Sequence, residues 1–227
     1  MVYISDTHRL RLEFIEDYIL TMDMGQKFAS DQLVTRKVTE LERAGLAYPG
    51  QDENDDDYWN AHSEIDDVHI FASEAAEMLR AQLFQILWTF IEQLFLDALK
   101  ALAYHYGVEE EFDSQKGKRK NNLVRKWRLY LRNTLNFEPT LTEQDWGDLE
   151  ACYQIRNFIT HSTHRPGHPP KPHQRTAVER LDGLKVVPDG IAISTKFLES
   201  FHRLSKKCLH AVGGEHWRRN DALDLPR

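Results

Sequence analysis

The chain has 227 residues, 41% of them hydrophobic and 29% charged, with a formal net charge of −7. That is enough apolar material for one sizeable core, and with only 11 glycines and 8 prolines it excludes collagen-like, low-complexity and disordered classes. The longest charge-free apolar stretch, between Arg80 and Glu92, falls well short of the ~18 residues needed to span a bilayer, which excludes a membrane helix.

Residues 8 to 46 place Leu10, Phe14, Ile15 and Tyr18, and later Leu33, Val34, Val38 and Leu41, at helical spacing. This predicts one long helix or two in succession, with Gly25 as the candidate break. Tyr48-Pro49-Gly50 and the acidic run to Asp57 predict a solvated connector. The run QDENDDDYW lacks the glycine and later glutamate of a calcium loop. From about Val68 to Tyr106 the chain is apolar at nearly every helical angle, as expected of a central core helix, and Gly107 stands where a C-terminal cap belongs. Glu92, inside this stretch, is expected on a narrow exposed stripe.

A third helix is predicted over Asn121 to Phe137, with Leu123, Trp127, Tyr130 and Leu131 on one side. It overlaps the segment 116–132, KGKRKNNLVRKWRLYLR, which carries eight basic side chains and no acidic one. A segregated positive pole in an acidic chain suits a phosphate backbone better than the net charge suggests. Lys118, Arg119, Lys120, Arg125, Lys126 and Arg128 are therefore candidate RNA contacts. Trp127 and Tyr130 are available either to stack a base or to fill the core.

Thr142, three residues before Asp145, predicts a capped fourth helix running to about Thr163. A proline- and histidine-rich loop follows over 164–182. LKVVPDGIAIS alternates around Pro188-Asp189-Gly190 and predicts a short β-hairpin. Ser194 or Thr195 then caps a last helix that ends at Gly213. The expected fold is all-α, a single domain over 1–227. It comprises an N-terminal helical extension and acidic connector (1–60), a core bundle (68–163), the loop, and the hairpin with the C-terminal helix (183–214). Cys152 and Cys208 have no metal-type spacing and the N-terminus has charges where a signal peptide needs an apolar run, so a cytoplasmic protein with reduced thiols is expected.

The fourth helix carries Arg156-Asn157-Phe158-Ile159-Thr160-His161. With Trp146 as zero, Cys152, Ile155, Phe158 and Ile159 fall between roughly 120° and 240°, an apolar face directed at the core. Asn157 and His161 fall near 20° and 60°, and Arg156 on the flank near 280°, at about 100° per residue. An arginine beside a titratable imidazole suits phosphate chemistry, because guanidinium binds phosphate oxygens bidentately and imidazole exchanges protons near neutrality. His161, His164, His168 and His173 also raise a zinc or nickel site. No Cys, Asp or Glu joins them, however, and four intervening prolines stiffen the loop, so no metal or other cofactor is expected.

The Arg-polar-x-x-x-His pattern of RNFITH, late in an all-α chain, resembles the HEPN superfamily, most closely over residues 68–163. The resemblance implies a helical bundle that forms a homodimer, bringing two motifs together in a cleft, and a metal-independent endoribonuclease in which the RNA 2′-hydroxyl attacks the neighbouring phosphate. Arg156 would then stabilise the phosphorane, His161 would act as general base or acid, and Asn157 would orient one of them. Apart from the resemblance, the position of the loop directly after the motif makes His164, Arg165, Lys171 and Arg175 candidate auxiliary RNA contacts. The resemblance also implies a toxin or defence setting, with an antitoxin or similar partner protein. Thr163 replaces the tyrosine that nucleotidyltransferase antitoxins modify in some HEPN toxins, so that form of silencing is not expected. The alternative within the family is a non-catalytic RNA- or protein-binding regulatory module.

Overall fold

The computed structural model describes residues 6–43, 56–109, 112, 122–162, 169–188 and 190–213. Within them the chain forms α1 (Asp6–Arg43), α2 (Asp56–His105), α3 (Leu123–Asn133), α4 (Glu143–Ser162), α5 (Pro172–Arg180), β1 (Leu184–Val187), β2 (Gly190–Ile193) and α6 (Thr195–Gly213). The architecture is all-α with one antiparallel hairpin before the last helix, and no described helix is long and apolar enough to cross a membrane. The chain packs as two units, residues 17–80 and the remainder, where composition predicts one domain over 1–227. Both boundaries fall inside helices rather than in a linker.

In the unit of residues 17–80, α1 runs unbroken through Gly25, which stands in open space. A single interior glycine costs about 1 kcal/mol, too little to interrupt a helix of 38 residues. Asp56 and Asp57 belong to the first turn of α2 and not to the end of a connector. Tyr48, Pro49 and Gly50 lie outside the described residues. Lys37 pairs with Glu64 across the two helices. Ile19 and Leu41 are buried here, while Tyr18, Met24, Phe28, Trp59, Ile70, Phe71 and Met78 are exposed.

The other unit is built on the C-terminal part of α2. Phe84, Trp88, Ile91 and Phe95 recur at spacings of four, three and four and are all buried, making one continuous face. Trp127 of α3 stacks on Phe95 with ring centroids 4.3 Å apart. Phe197 and Phe201 of α6 meet Phe84 edge-on, each at 5.0 Å. The opposite side of α2 is not enclosed, since Ile86 is 65% exposed. Glu92 lies half-buried at the border and accepts a hydrogen bond from Trp88 Nε1 at 3.1 Å. Gly107 ends the helix with φ at 65°; its N–H bonds the Tyr104 carbonyl and that of Val108 the Ala103 carbonyl, the paired bonds of a Schellman motif.

Asn122 caps α3 by accepting the Arg125 N–H at 2.8 Å. The helix is shorter than the predicted 121–137, because the chain turns away after Thr134 and Asn136 adopts φ of 47° ahead of Pro139. Thr142 and Asp145 form the expected reciprocal cap of α4: Asp145 N–H donates to Thr142 Oγ1 at 3.1 Å and Thr142 N–H to Asp145 Oδ2 at 2.8 Å. Lys207 of α6 adds Nζ donors to both Asp145 oxygens at 2.7 and 2.8 Å, tying α6 to the start of α4.

Burial alone would raise the Asp145 carboxyl, but hydrogen bonds from Lys207 and from the Thr142 side chain and backbone outweigh it and hold the group below the usual carboxylate range. A depressed carboxyl contributes stability that is fully present above its unfolded pKa and is lost as pH falls through the folded one. Asp145→Asn should therefore be less stable than wild type at neutral pH, with the difference shrinking as pH drops through the carboxylate range. Urea unfolding midpoints across that range check this, and a difference independent of pH would contradict it.

The predicted loop 164–182 contains a helix. Pro172 occupies the first position of α5, and Lys171 N–H donates to Gln174 Oε1 at 2.8 Å. Proline is pre-organised for exactly that first turn, where its missing N–H costs nothing. Ala177 and Val178 are buried, and Arg180 binds back onto α4, with Nε 2.5 Å from Asp148 Oδ1 and Nη2 3.1 Å from the Gln144 carbonyl. Gly147 makes room for it; a Cβ there would fall 2.3 Å from Arg180 Nη2. The hairpin pairs Leu184 with Ile193 and Val187 with Gly190, as its alternation predicts. Gly183 before it has φ of 85°, and a Cβ there would meet the Phe197 backbone nitrogen at 2.7 Å. Ser194 caps α6 by accepting the Phe197 N–H at 3.3 Å.

Candidate functional site

Helix α4 positions the motif. Cys152, Ile155, Phe158 and Ile159 are all buried, whereas Arg156 and Asn157 are half-buried and His161 is exposed. The predicted division of the helix into a core face and a motif face therefore holds. Arg156 Nη1 donates to Asn157 Oδ1 at 3.1 Å, so the amide holds the guanidinium and not the imidazole. Thr160 turns back to bond the Arg156 carbonyl at 2.9 Å. Asn157 and His161 also share a stripe with Glu143, Gly147, Glu150 and Gln154, at alternating spacings of four and three.

That stripe continues into a groove of about 500 Å³ between α3 and α4. Arg125 Nε lies 3.1 Å from both carboxylate oxygens of Glu150, and Arg128 Nη1 lies 2.9 Å from Glu143 Oε2, with a second contact from Nη2 to Oε1. Advancing along α3 matches retreat along α4, so the two helices run antiparallel. The Arg128 guanidinium also sits 5.6 Å from the centroid of the buried Trp146 ring, a cation–π contact. The hydrogen bond between Arg128 and Glu143, with burial acting the other way, raises the Arg128 guanidinium and lowers the Glu143 carboxyl from their usual values, so both stay charged at neutral pH.

Two expectations for the basic helix change as a result. Trp127 and Tyr130 are buried, at 0% and 8% exposure, and present no face to a base. Arg125 and Arg128 are engaged by α4 carboxylates instead of facing solvent as bare cations. Lys126 is half-buried. Lys118, Arg119, Lys120, His164 and Arg165 lie outside the described residues, as does Thr163. Sequence reasoning missed Glu143, Glu150 and Trp146. The spacing of the two glutamates along the Asn157–His161 stripe was the available signal, but nothing local joins them to arginines 15 and 25 residues away.

Cys152 and Cys208 are both buried; burial pushes the Cys152 thiol well up and the Cys208 thiol to about 12, which makes neither a nucleophile at neutral pH. Among the described residues no three His, Cys, Asp or Glu side chains converge as a metal site; His161 and His173 are exposed on separate helices. Comparison with protein-family models, curated proteins and solved structures finds no match for this chain.

Proposed function

We propose that the protein is a metal-independent endoribonuclease of the HEPN type, cleaving RNA by attack of the 2′-hydroxyl on the adjacent phosphate. The observation that carries this reading is the Arg156–Asn157–His161 group itself: its side chains lie off the core face of α4, with the guanidinium held by Asn157 and the imidazole open to solvent. Arg156 binds the phosphate oxygens and stabilises the charge that builds on phosphorus. His161 removes the 2′-hydroxyl proton or donates one to the departing 5′-oxygen. Asn157 positions Arg156. The reaction needs both a base and an acid, and one motif supplies one histidine; a two-fold pairing of α4 helices would supply the second. His164 and Arg165 are auxiliary RNA contacts, and a toxin or defence setting with a partner protein in the cytoplasm fits an activity that must be restrained.

The reading is tested by incubating the purified protein with single-stranded RNA in EDTA, with the DNA analogue beside it. Cleavage of RNA alone is expected. RNA binding without cleavage under any condition would favour the non-catalytic binding module. The paired site carries its own prediction: light scattering at micromolar concentration should report a homodimer, and a strictly monomeric species with full activity would remove the composite site.

A further inference from the structure

We infer that Arg125, Arg128 and Arg132 form a track for the backbone of single-stranded RNA leading along the α3–α4 groove to Arg156 and His161, and that Glu143 and Glu150 hold this track in a neutralised, closed form. The inference rests on the ribonuclease reading above. The three arginines follow one another at spacings of three and four on α3, so they share one face a turn apart and line the groove together. Leu129, 46% exposed, forms an apolar wall, and the Trp146 ring lies under Arg128. The groove's α4 lining ends at Glu150, and Asn157 lies seven residues further on the same stripe, about 10 Å along the helix, so the Glu150 end of the groove is the end nearer the motif.

The carboxylates occupy the guanidiniums much as a phosphodiester would. The Arg125 Nε–H is shared between both Glu150 oxygens, and Glu143 takes both terminal nitrogens of Arg128. These pairs are not sealed: the Arg125 side chain is 63% exposed and that of Glu143 is 82% exposed. Exposed ion pairs of this kind are weak and screened by salt, whereas a polyanion that engages several arginines gains from counterion release. Arg132, exposed at the end of the groove, makes no ion pair among the described residues and is the first cation that an incoming phosphate meets. The groove thus carries three guanidiniums against two carboxylates. It favours a chain long enough to displace both glutamates over a short or isolated anion.

The test measures binding of a labelled, fully 2′-O-methylated RNA oligonucleotide, which lacks the nucleophile and is not cleaved, across a salt series. Removing both carboxylate charges with Glu143→Gln and Glu150→Gln should tighten binding about three- to tenfold and steepen its salt dependence. Arg132→Ala should weaken binding and flatten the salt slope by about one. Arg132→Ala disrupts no ion pair among the described residues, so it decides the matter if the glutamine variant melts early. Unchanged or weaker binding in a stably folded glutamine variant, or unchanged binding in Arg132→Ala, would overturn the track. Cleavage of unmodified RNA by the wild type, measured in parallel, judges the ribonuclease reading separately.

Discussion

Replacing Trp127 by alanine should cost about 3–5 kcal/mol of stability, the range for emptying a large aromatic from a packed core. The ring is fully buried, stacks on Phe95 and lies 6.4 Å from Trp88 in near-parallel orientation, so it joins α3 to the central part of α2. Its Nε1 has no hydrogen-bond partner among the described residues. Trp127→Phe therefore sacrifices no hydrogen bond, keeps an aromatic face on Phe95, and should cost clearly less than the alanine variant. Urea unfolding of both variants measures the difference. A base-stacking tryptophan would behave in the opposite way, with Trp127→Ala leaving stability intact and weakening RNA binding.

His161→Ala should lower the rate of RNA cleavage by ~10²–10⁴-fold, the usual cost of removing a proton-transfer group. The side chain is exposed, so the same change should move the unfolding midpoint hardly at all. Arg156→Ala should be comparably inactive. Asn157 touches Arg156 only through its side-chain oxygen, which gives it a graded role: Asn157→Asp keeps an acceptor for the guanidinium and should retain more activity than Asn157→Ala. Rates at saturating RNA, run beside thermal melts of each variant, separate chemistry from folding. Loss of activity that tracks loss of stability would assign the motif a structural role.

What could be anticipated divides by the range of the signal. The caps of α4 and α6, the glycine stop after α2 and the Pro188 turn are local, each fixed by residues within a few positions, and the chain states them openly. The core and motif faces of α4 follow from helical period alone. Proline and acid runs are ambiguous by contrast. Pro172 serves a helix start as well as an extended loop, and Asp56 and Asp57 serve a helix N-terminus as well as a connector. The pairing of Arg125 with Glu150 and of Arg128 with Glu143 is tertiary, and no periodicity encodes it. It is this pairing that turns an apparently bare basic helix into one wall of a charged groove.

The proposed chemistry is read most directly from the ends of the products. RNA cleaved by the wild-type protein in EDTA should carry a 2′,3′-cyclic phosphate on one fragment and a 5′-hydroxyl on the other, because the attacking oxygen belongs to the RNA itself and no water or metal enters that step. Fragments with a 3′-hydroxyl and a 5′-phosphate, or cleavage that stops when divalent metal is chelated, would contradict the assignment of Arg156 and His161.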